Sequence, residues 1–343
     1  MTKRIVVTGG AGYIGSHTLL DLLSLGHQVC VLDNFTNGSP EALSRVQKLA
    51  GREVVSHQVD VRDQHALDGV FGSFKPDAVI HFAGLKAVGE GEEQPVAYYD
   101  VNVGGTINVL KAMAASSCRT IIFSSSATVY GEPDYLPIDE AHHCRPMGVY
   151  GRTKRMAEEV LIDWAKATTD ASAIILRYFN PVGAHESGDL GEDPKDIPNN
   201  LMPFIAQVAV GLRERLSIFG GDYATRDGTG LRDYIHVLDL ARAHVAAFDY
   251  ACRKPTGADI FNVGSGGGVT VHEMLIAYGR ACGRSLPFEV MPRRAGDIPS
   301  SVANPTKAGR LLRWEARQTL DQMCRSSWKW QSQNPNGYRG VAP

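Results

Sequence analysis

The sequence predicts an α/β fold, a doubly wound parallel sheet followed by a smaller mixed lobe. A short apolar strand, Arg4-Ile5-Val6-Val7-Thr8, runs straight into the turn Gly9-Gly10-Ala11-Gly12-Tyr13-Ile14-Gly15. A leucine-rich helix follows, stopped by Gly26, and a second strand, Val29-Cys30-Val31-Leu32, ends at Asp33. Strand and helix patterns then alternate to about residue 180. Strand, glycine turn, helix, strand and acid in this order mark a Rossmann-type dinucleotide fold.

Each piece has a physical reason. Gly9, Gly12 and Gly15 let the backbone approach a pyrophosphate, and the helix N-terminus offers N–H donors to the anion. Asp33 is placed for ribose hydroxyls. A carboxylate there repels a 2′-phosphate, and Asp33-Asn34-Phe35-Thr36-Asn37 contains no arginine, so NAD is expected rather than NADP. The competing reading is a glycine turn that serves packing alone. Glu53 to Asp60 reads as a third strand, with Asp60 at its end in reach of an adenine. Asp63 caps a helix to Phe71. Ala78-Val79-Ile80-His81-Phe82 is a fourth strand opening onto Ala83-Gly84, with His81 read as a packed strand residue. Pro95 starts a long helix through Ala115 that carries Asn102. Thr120-Ile121-Ile122-Phe123 is a fifth strand, and Ser124-Ser125-Ser126 opens the loop after it, where ligands of such sheets gather. The next helix starts at Val149-Tyr150 and turns Val160, Leu161 and Trp164 to the sheet. Ala173 to Phe179 is a sixth strand.

The pattern changes at Asn180. A long irregular stretch leads to a helix at Leu201–Val210, a strand at Leu216–Phe219, a turn and strand up to Val237, and a helix to Ala251. The domain division expected is therefore 1–179 and 180–343. A segment of about 236–263, ending in the strand Asp259-Ile260-Phe261-Asn262-Val263, returns to the first sheet. A helix at Val271–Cys282 precedes the pair Arg293-Arg294, a side-chain type that binds diphosphates bidentately. Surface arginine pairs are also common.

Bulk properties exclude several classes. With 43% hydrophobic and 21% charged residues the chain can bury a core. Its 35 basic and 37 acidic residues are mixed, which leaves no footprint for nucleic acid or an anionic membrane. There is no bilayer-spanning apolar run and no signal peptide is expected. The six cysteines show no metal spacing and read as reduced thiols of a cytoplasmic protein. No metal is expected.

The chemistry centres on Tyr150 and Lys154, spaced i, i+4 on one helix face. A phenol of pKa ~10 is a poor base at neutral pH, and a cation beside it lowers that value. On spacing alone the pair reads as a surface feature; a hydride acceptor at the glycine turn is what makes it chemical.

The motifs together are more specific. Thr8 through His17, His81 through Gly89, Ser124 through Gly131, Tyr150 with Lys154, Arg177 through Ala184, Pro198-Asn199-Asn200-Leu201-Met202-Pro203 and Arg232-Asp233-Tyr234-Ile235-His236 stand in this order. The chain resembles the UDP-glucose 4-epimerases, extended short-chain dehydrogenases/reductases, to about Tyr338. The resemblance implies NAD held through the cycle and a homodimer formed through helices near Val96–Ala115 and Val149–Ala167. It makes Tyr150 the base for the sugar 4-OH, Lys154 the group that lowers the phenol's pKa and holds the nicotinamide ribose, and Ser126 the hydrogen-bonding partner of the reacting oxygen. Cofactor contacts carry over to Gly9, Gly12, Tyr13, Ile14, Gly15, Asp33, Asn34, Asn37, Asp60, Val61, Phe82, Ala83, Lys86, Asn102 and Phe179, besides Tyr150 and Lys154. UDP-sugar contacts carry over to Lys86, Ser126, Tyr150, Asn180, Asn200, Leu201, Arg232, Arg294 and Asp297, with Ser217 and Phe219 along the uracil. Ser301 stands where hexose-restricted members have tyrosine, so its small side chain implies room for an N-acetyl group at the sugar C2. A nucleotide-sugar 4,6-dehydratase would need an acid pair where this chain has Ala127-Thr128. A non-catalytic dinucleotide sensor would not be expected to retain both Tyr150 and Lys154.

Overall fold

The computed structural model describes residues 2–195, 198, 200–253, 256–294 and 296–339. Asn199 and Ala295, within motifs or segments noted above, lie outside this set. The central sheet follows from period-two burial. In β1 (Arg4–Thr8), Ile5 and Val7 enter one apolar layer and Val6 the other. There follow α1 (Tyr13–Ser24), β2 (Gln28–Asp33), α2 (Pro40–Ala50), β3 (Val55–Gln58), α3 (Gln64–Phe74), β4 (Ala78–His81), α4 (Val88–Glu93), α5 (Pro95–Tyr99), α6 (Gly105–Ala115), β5 (Thr120–Ser126), α7 (Val149–Ala167) and β6 (Ser172–Tyr178). Asp63 caps α3 as expected, its carboxylate accepting from the Ala66 N–H at 3.0 Å.

Four local expectations are revised. β3 is shorter than Glu53–Asp60: it is an edge strand whose pairing with β2 ends opposite Asp33, the last residue of β2, and Asp60 lies past its end. The helix from Pro95 is broken by a π-turn at Asp100–Gly104. π-turns recur at functional positions; here Asn102 grips the Leu85 N–H at 2.7 Å and its carbonyl at 3.0 Å. The serines are not a loop: β5 runs through Ser126, paired with β6 as far as Tyr178. The inner face of α7 is centred on Lys154, Ala157, Glu158, Leu161 and Ala165, with Val160 and Trp164 only at its margin. Two charged residues on that face are buried because each has partners, as described below.

The remaining elements are β7 (Asn180–Val182), α8 (Leu201–Ala209), β8 (Leu216–Phe219), β9 (Leu231–His236), α9 (Val237–Arg253), β10 (Gly257–Val263), β11 (Gly268–Thr270), α10 (Val271–Cys282), β12 (Phe288–Met291), β13 (Ser300–Ser301), α11 (Thr306–Leu312) and α12 (Leu320–Gln333). The large sheet has the order β10-β6-β5-β4-β1-β2-β3, all parallel. Strand order reverses between β1 and β4, which opens a crevice at their carboxyl ends. The strand predicted to return does so as β10, beside β6. β9 pairs with β7, β11 and β13, and β8 pairs with β12, over a separate apolar cluster that includes Met202, Ile218 and Tyr278.

Candidate active site

The glycine turn is shaped by close approach. A Cβ at Gly9, whose φ is +70°, would stand 2.7 Å from the Ala83 nitrogen, and one at Gly15 would stand 2.5 Å from the Gly9 carbonyl oxygen. The ends of β1 and β4 therefore meet in a cradle that side chains would fill. Asp33 is buried, and burial raises its pKa against the pull of two backbone donors, Ala11 N–H at 3.0 Å and Phe35 N–H at 2.9 Å. One carboxylate thus orders the turn. These features fit a dinucleotide.

Around the cradle the expected residues are dispersed along the strand ends. Tyr13 donates its hydroxyl to the Gly183 carbonyl at 2.6 Å, and Ile14 is half-buried behind it. Asn34 donates to Asp60 at 2.9 Å, and Asp60 is held well below the usual carboxylate range by Arg62. Asn37 is exposed. Val61 is a core residue packed against Gly105, so only its backbone is free to meet a ligand. Phe82 is half-buried with its ring 4.6 Å from that of His244, whereas Phe179 is buried with Val129 and Ile138. His81 is a packed residue, bridging Thr8 at 2.6 Å and Thr106 at 3.1 Å.

The chemical groups converge at the end of β5. Lys154 donates to the Ser124 carbonyl at 2.9 Å, with its ammonium 4.9 Å from the Phe123 ring and 5.9 Å from the Tyr150 ring. Successive side chains of β5 alternate faces. Ser124 meets His244 on α9 at 2.8 Å, and Ser125 donates to Glu158 on α7 at 2.5 Å. Ser126 accepts from Thr128, and its hydroxyl also serves the Tyr150 phenol. That division distinguishes Ser126 from its two neighbours.

Burial pushes Tyr150 up to about 12, and the hydrogen bond with Ser126 draws it partway back. Burial pulls Lys154 down to about 8, opposed by the charge of Glu158. In the chain without cofactor, burial is a larger influence on the phenol than the Ser126 hydrogen bond.

Several residues around these groups were not assigned a role in the sequence. Glu158 is fully buried, bonded to Arg177 at 2.9 and 2.6 Å, and supports both Ser125 and Lys154. The Tyr178 phenol lies near Tyr150 and Ser124, and burial raises its pKa. Arg62 and Glu192 engage expected site residues. Only Glu158 was legible in principle, one turn after Lys154.

In the second lobe, Asn200 donates to Glu192 at 2.9 Å, and Leu201 opens α8. Lys86 reaches the same carboxylate at 3.4 Å. Asn180 lies in β7 opposite Tyr234. Ser217 is turned to Glu289 at 3.2 Å, while the Arg294 guanidinium stacks 4.4 Å from the Phe219 ring and pairs with Asp297 at 3.1 Å. Arg293 is engaged elsewhere, by Asp222. Arg232 donates to the Leu231 and Pro299 carbonyls and pairs in register with Ser301, which is buried. The groove lined by Asp21, Arg242 and Trp314 shares no residue with these groups.

Residues 5–264 match the NAD dependent epimerase/dehydratase family. The chain belongs to that family. It is 50% identical to a UDP-glucose 4-epimerase of Mus musculus, over 99% of this chain and all of the relative. Its fold matches a UDP-glucose 4-epimerase from Bifidobacterium longum, solved with NAD+ and UDP. There the TM-score is 0.94 and identity 48%, over 97% of this chain and 99% of the other. The UDP-Glc/GlcNAc 4-epimerase of Campylobacter jejuni matches with a TM-score of 0.84 at 38% identity, over 96% and 99% of the two chains. Among the described residues of this epimerase/dehydratase family member, no helix is long and apolar enough to cross a membrane, and no cluster of three or more metal-ligating side chains occurs.

Proposed function

We propose that the protein is an NAD-dependent UDP-glucose 4-epimerase that interconverts UDP-glucose and UDP-galactose through a transient UDP-4-ketohexose. One observation carries this: Tyr150, Lys154 and Ser126 converge at the end of β5 in a chain whose whole length follows UDP-glucose 4-epimerases. Gly9, Gly12 and Gly15 would cradle the pyrophosphate and Asp33 the ribose. NAD held there would supply the hydride acceptor and donor for C4. Tyr150 takes the 4-OH proton and later returns it. Ser126 hydrogen-bonds that oxygen, and Lys154 contributes positive charge. Arg232 and Arg294 would hold the diphosphate, Phe219 and Ser217 would flank the uracil, and Asn180, Asn200, Leu201 and Asp297 would contact the UDP-sugar. In this reading residues 1–179, with about 236–263, carry the cofactor and 180–343 mainly the UDP-sugar.

The test is conversion of UDP-galactose without added NAD. We expect UDP-glucose to form at constant nicotinamide absorbance; a requirement for stoichiometric added NAD would make the protein an ordinary dehydrogenase instead. Ser301 extends the reading to UDP-GlcNAc and UDP-GalNAc, because it is small and lies beside Arg232. In a four-substrate panel the wild type should epimerise both pairs, and Ser301→Tyr only the hexoses. Failure of the wild type on UDP-GlcNAc refutes the extension.

A homodimer is supported by apolar side chains left exposed on the first-lobe helices, Val96 at 80% and Met156 at 43%. Sedimentation should give twice the 37.2 kDa chain mass; a monomer at micromolar concentration would exclude the dimer. The six unpaired cysteines suit the cytoplasm.

A further inference from the structure

The segment 183–195 belongs to the second lobe in sequence, yet it bonds to three separate loops of the first. Gly183 accepts from the Tyr13 hydroxyl at 2.6 Å, after β1. Lys195 donates to the Phe35 carbonyl at 2.5 Å, after β2, and its charge acts on Asp33. Glu192 meets Lys86 at 3.4 Å, after β4. These are the carboxyl-end loops of the three strands around the switch point, along which a dinucleotide lies in such sheets.

The far side of the segment is anchored independently. Trp330 on α12 donates its indole N–H to the Glu192 carbonyl at 3.1 Å. Asp193 accepts from the Tyr338 N–H at 2.8 Å, and Arg339 donates to the Lys195 carbonyl at 2.6 Å. The segment is thus fastened behind to the C-terminal helix and turn, and in front to the cofactor loops. Opening it requires several bonds to break together, although each alone is modest.

We infer that 183–195 is a clasp across the cofactor cleft, and that Lys195 and Glu192 are retention residues that keep the dinucleotide from exchanging between turnovers. The inference rests on the NAD reading above. It gives a role to Lys195, an exposed residue that touches no reacting group. It also explains why Lys86 and Asn200 share one carboxylate, since Glu192 ties a first-lobe loop to the start of α8.

The experiment measures exchange of bound NAD. Protein loaded with radiolabelled NAD is chased with excess unlabelled NAD, desalted, and the retained label counted. Lys195→Ala and the double variant Lys195→Ala/Glu192→Gln are compared with wild type. Lys195→Ala should exchange about tenfold faster, the factor for loss of one hydrogen bond to a charged group. The double variant should be faster still and should need added NAD for full turnover. Exchange at the wild-type rate in a folded double variant overturns the clasp. A wild-type protein that takes up no NAD overturns the cofactor reading, and the clasp with it.

Discussion

Replacing Tyr150 by phenylalanine lowers turnover by about 10²–10⁴-fold and leaves the bound NAD content of the purified protein unchanged. The substitution removes one oxygen from a buried ring that is held by Tyr98, Val149 and Leu85. Packing is therefore kept while the proton acceptor is lost. Single-turnover kinetics and NAD quantification after denaturation read the two quantities separately. Near-wild-type turnover would remove Tyr150 from the role of base. The pH profile adds a sign. Lys154, lowered to about 8 by burial, is charged below that pH and neutral above it. Its support for a phenolate is thus present at neutral pH and lost as pH rises through about 8. Turnover should fall on that alkaline side, and a profile still rising at pH 9 would contradict the electrostatic role of Lys154.

Glu158→Ala is the most damaging single change expected outside the reacting groups, with a loss of about 3–5 kcal/mol in stability. Glu158 is fully buried, and its partner Arg177 is nearly so. Burial opposes the Arg177 charge, and the hydrogen bonds and charge of Glu158 more than offset this, holding the guanidinium above its ordinary value. Truncation strands that cation under the Tyr130 ring, 4.9 Å away. It also frees Ser125 and removes the charge that favours protonated Lys154. A lowered thermal midpoint and poor soluble yield are the expected readout. Arg155, 3.2 Å from the same carboxylate, loses its partner as well, and an unchanged midpoint would refute the predicted loss. Glu158→Gln keeps the shape and should be milder.

The cofactor half of the site was largely legible because its determinants are local. The glycine turn, the strand ending at Asp33 and the i, i+4 spacing of Tyr150 and Lys154 each lie within a few residues, where steric limits and side-chain periodicity act directly. The return of β10 was legible too, as a run of apolar strand formers. Substrate contacts were reachable only through resemblance, because Arg232, Ser301 and Phe219 have no local pattern that links them. The proximity of Arg232 and Ser301 depends on β13 pairing with β9 over a two-residue strand, too short to leave a periodic trace, and Phe219 lies on β8, paired with β12.

What the sequence by itself determined is the fold class and the glycine cradle, since these are written in short-range spacing; the proposed acid–base roles of Tyr150 and Lys154 came from the resemblance. The resemblance singled out Ser126, and the tertiary structure shows the physical difference: Ser124 and Ser125 are engaged by His244 and Glu158, while Ser126 bonds the Tyr150 phenol. The tertiary structure alone decided the electrostatics of the pair, because burial, which pushes Tyr150 up and Lys154 down, exists only once the layers pack. And it decided that Glu158, Glu192 and Lys195 act near the site, because their partners come from distant elements that only folding brings within hydrogen-bond reach.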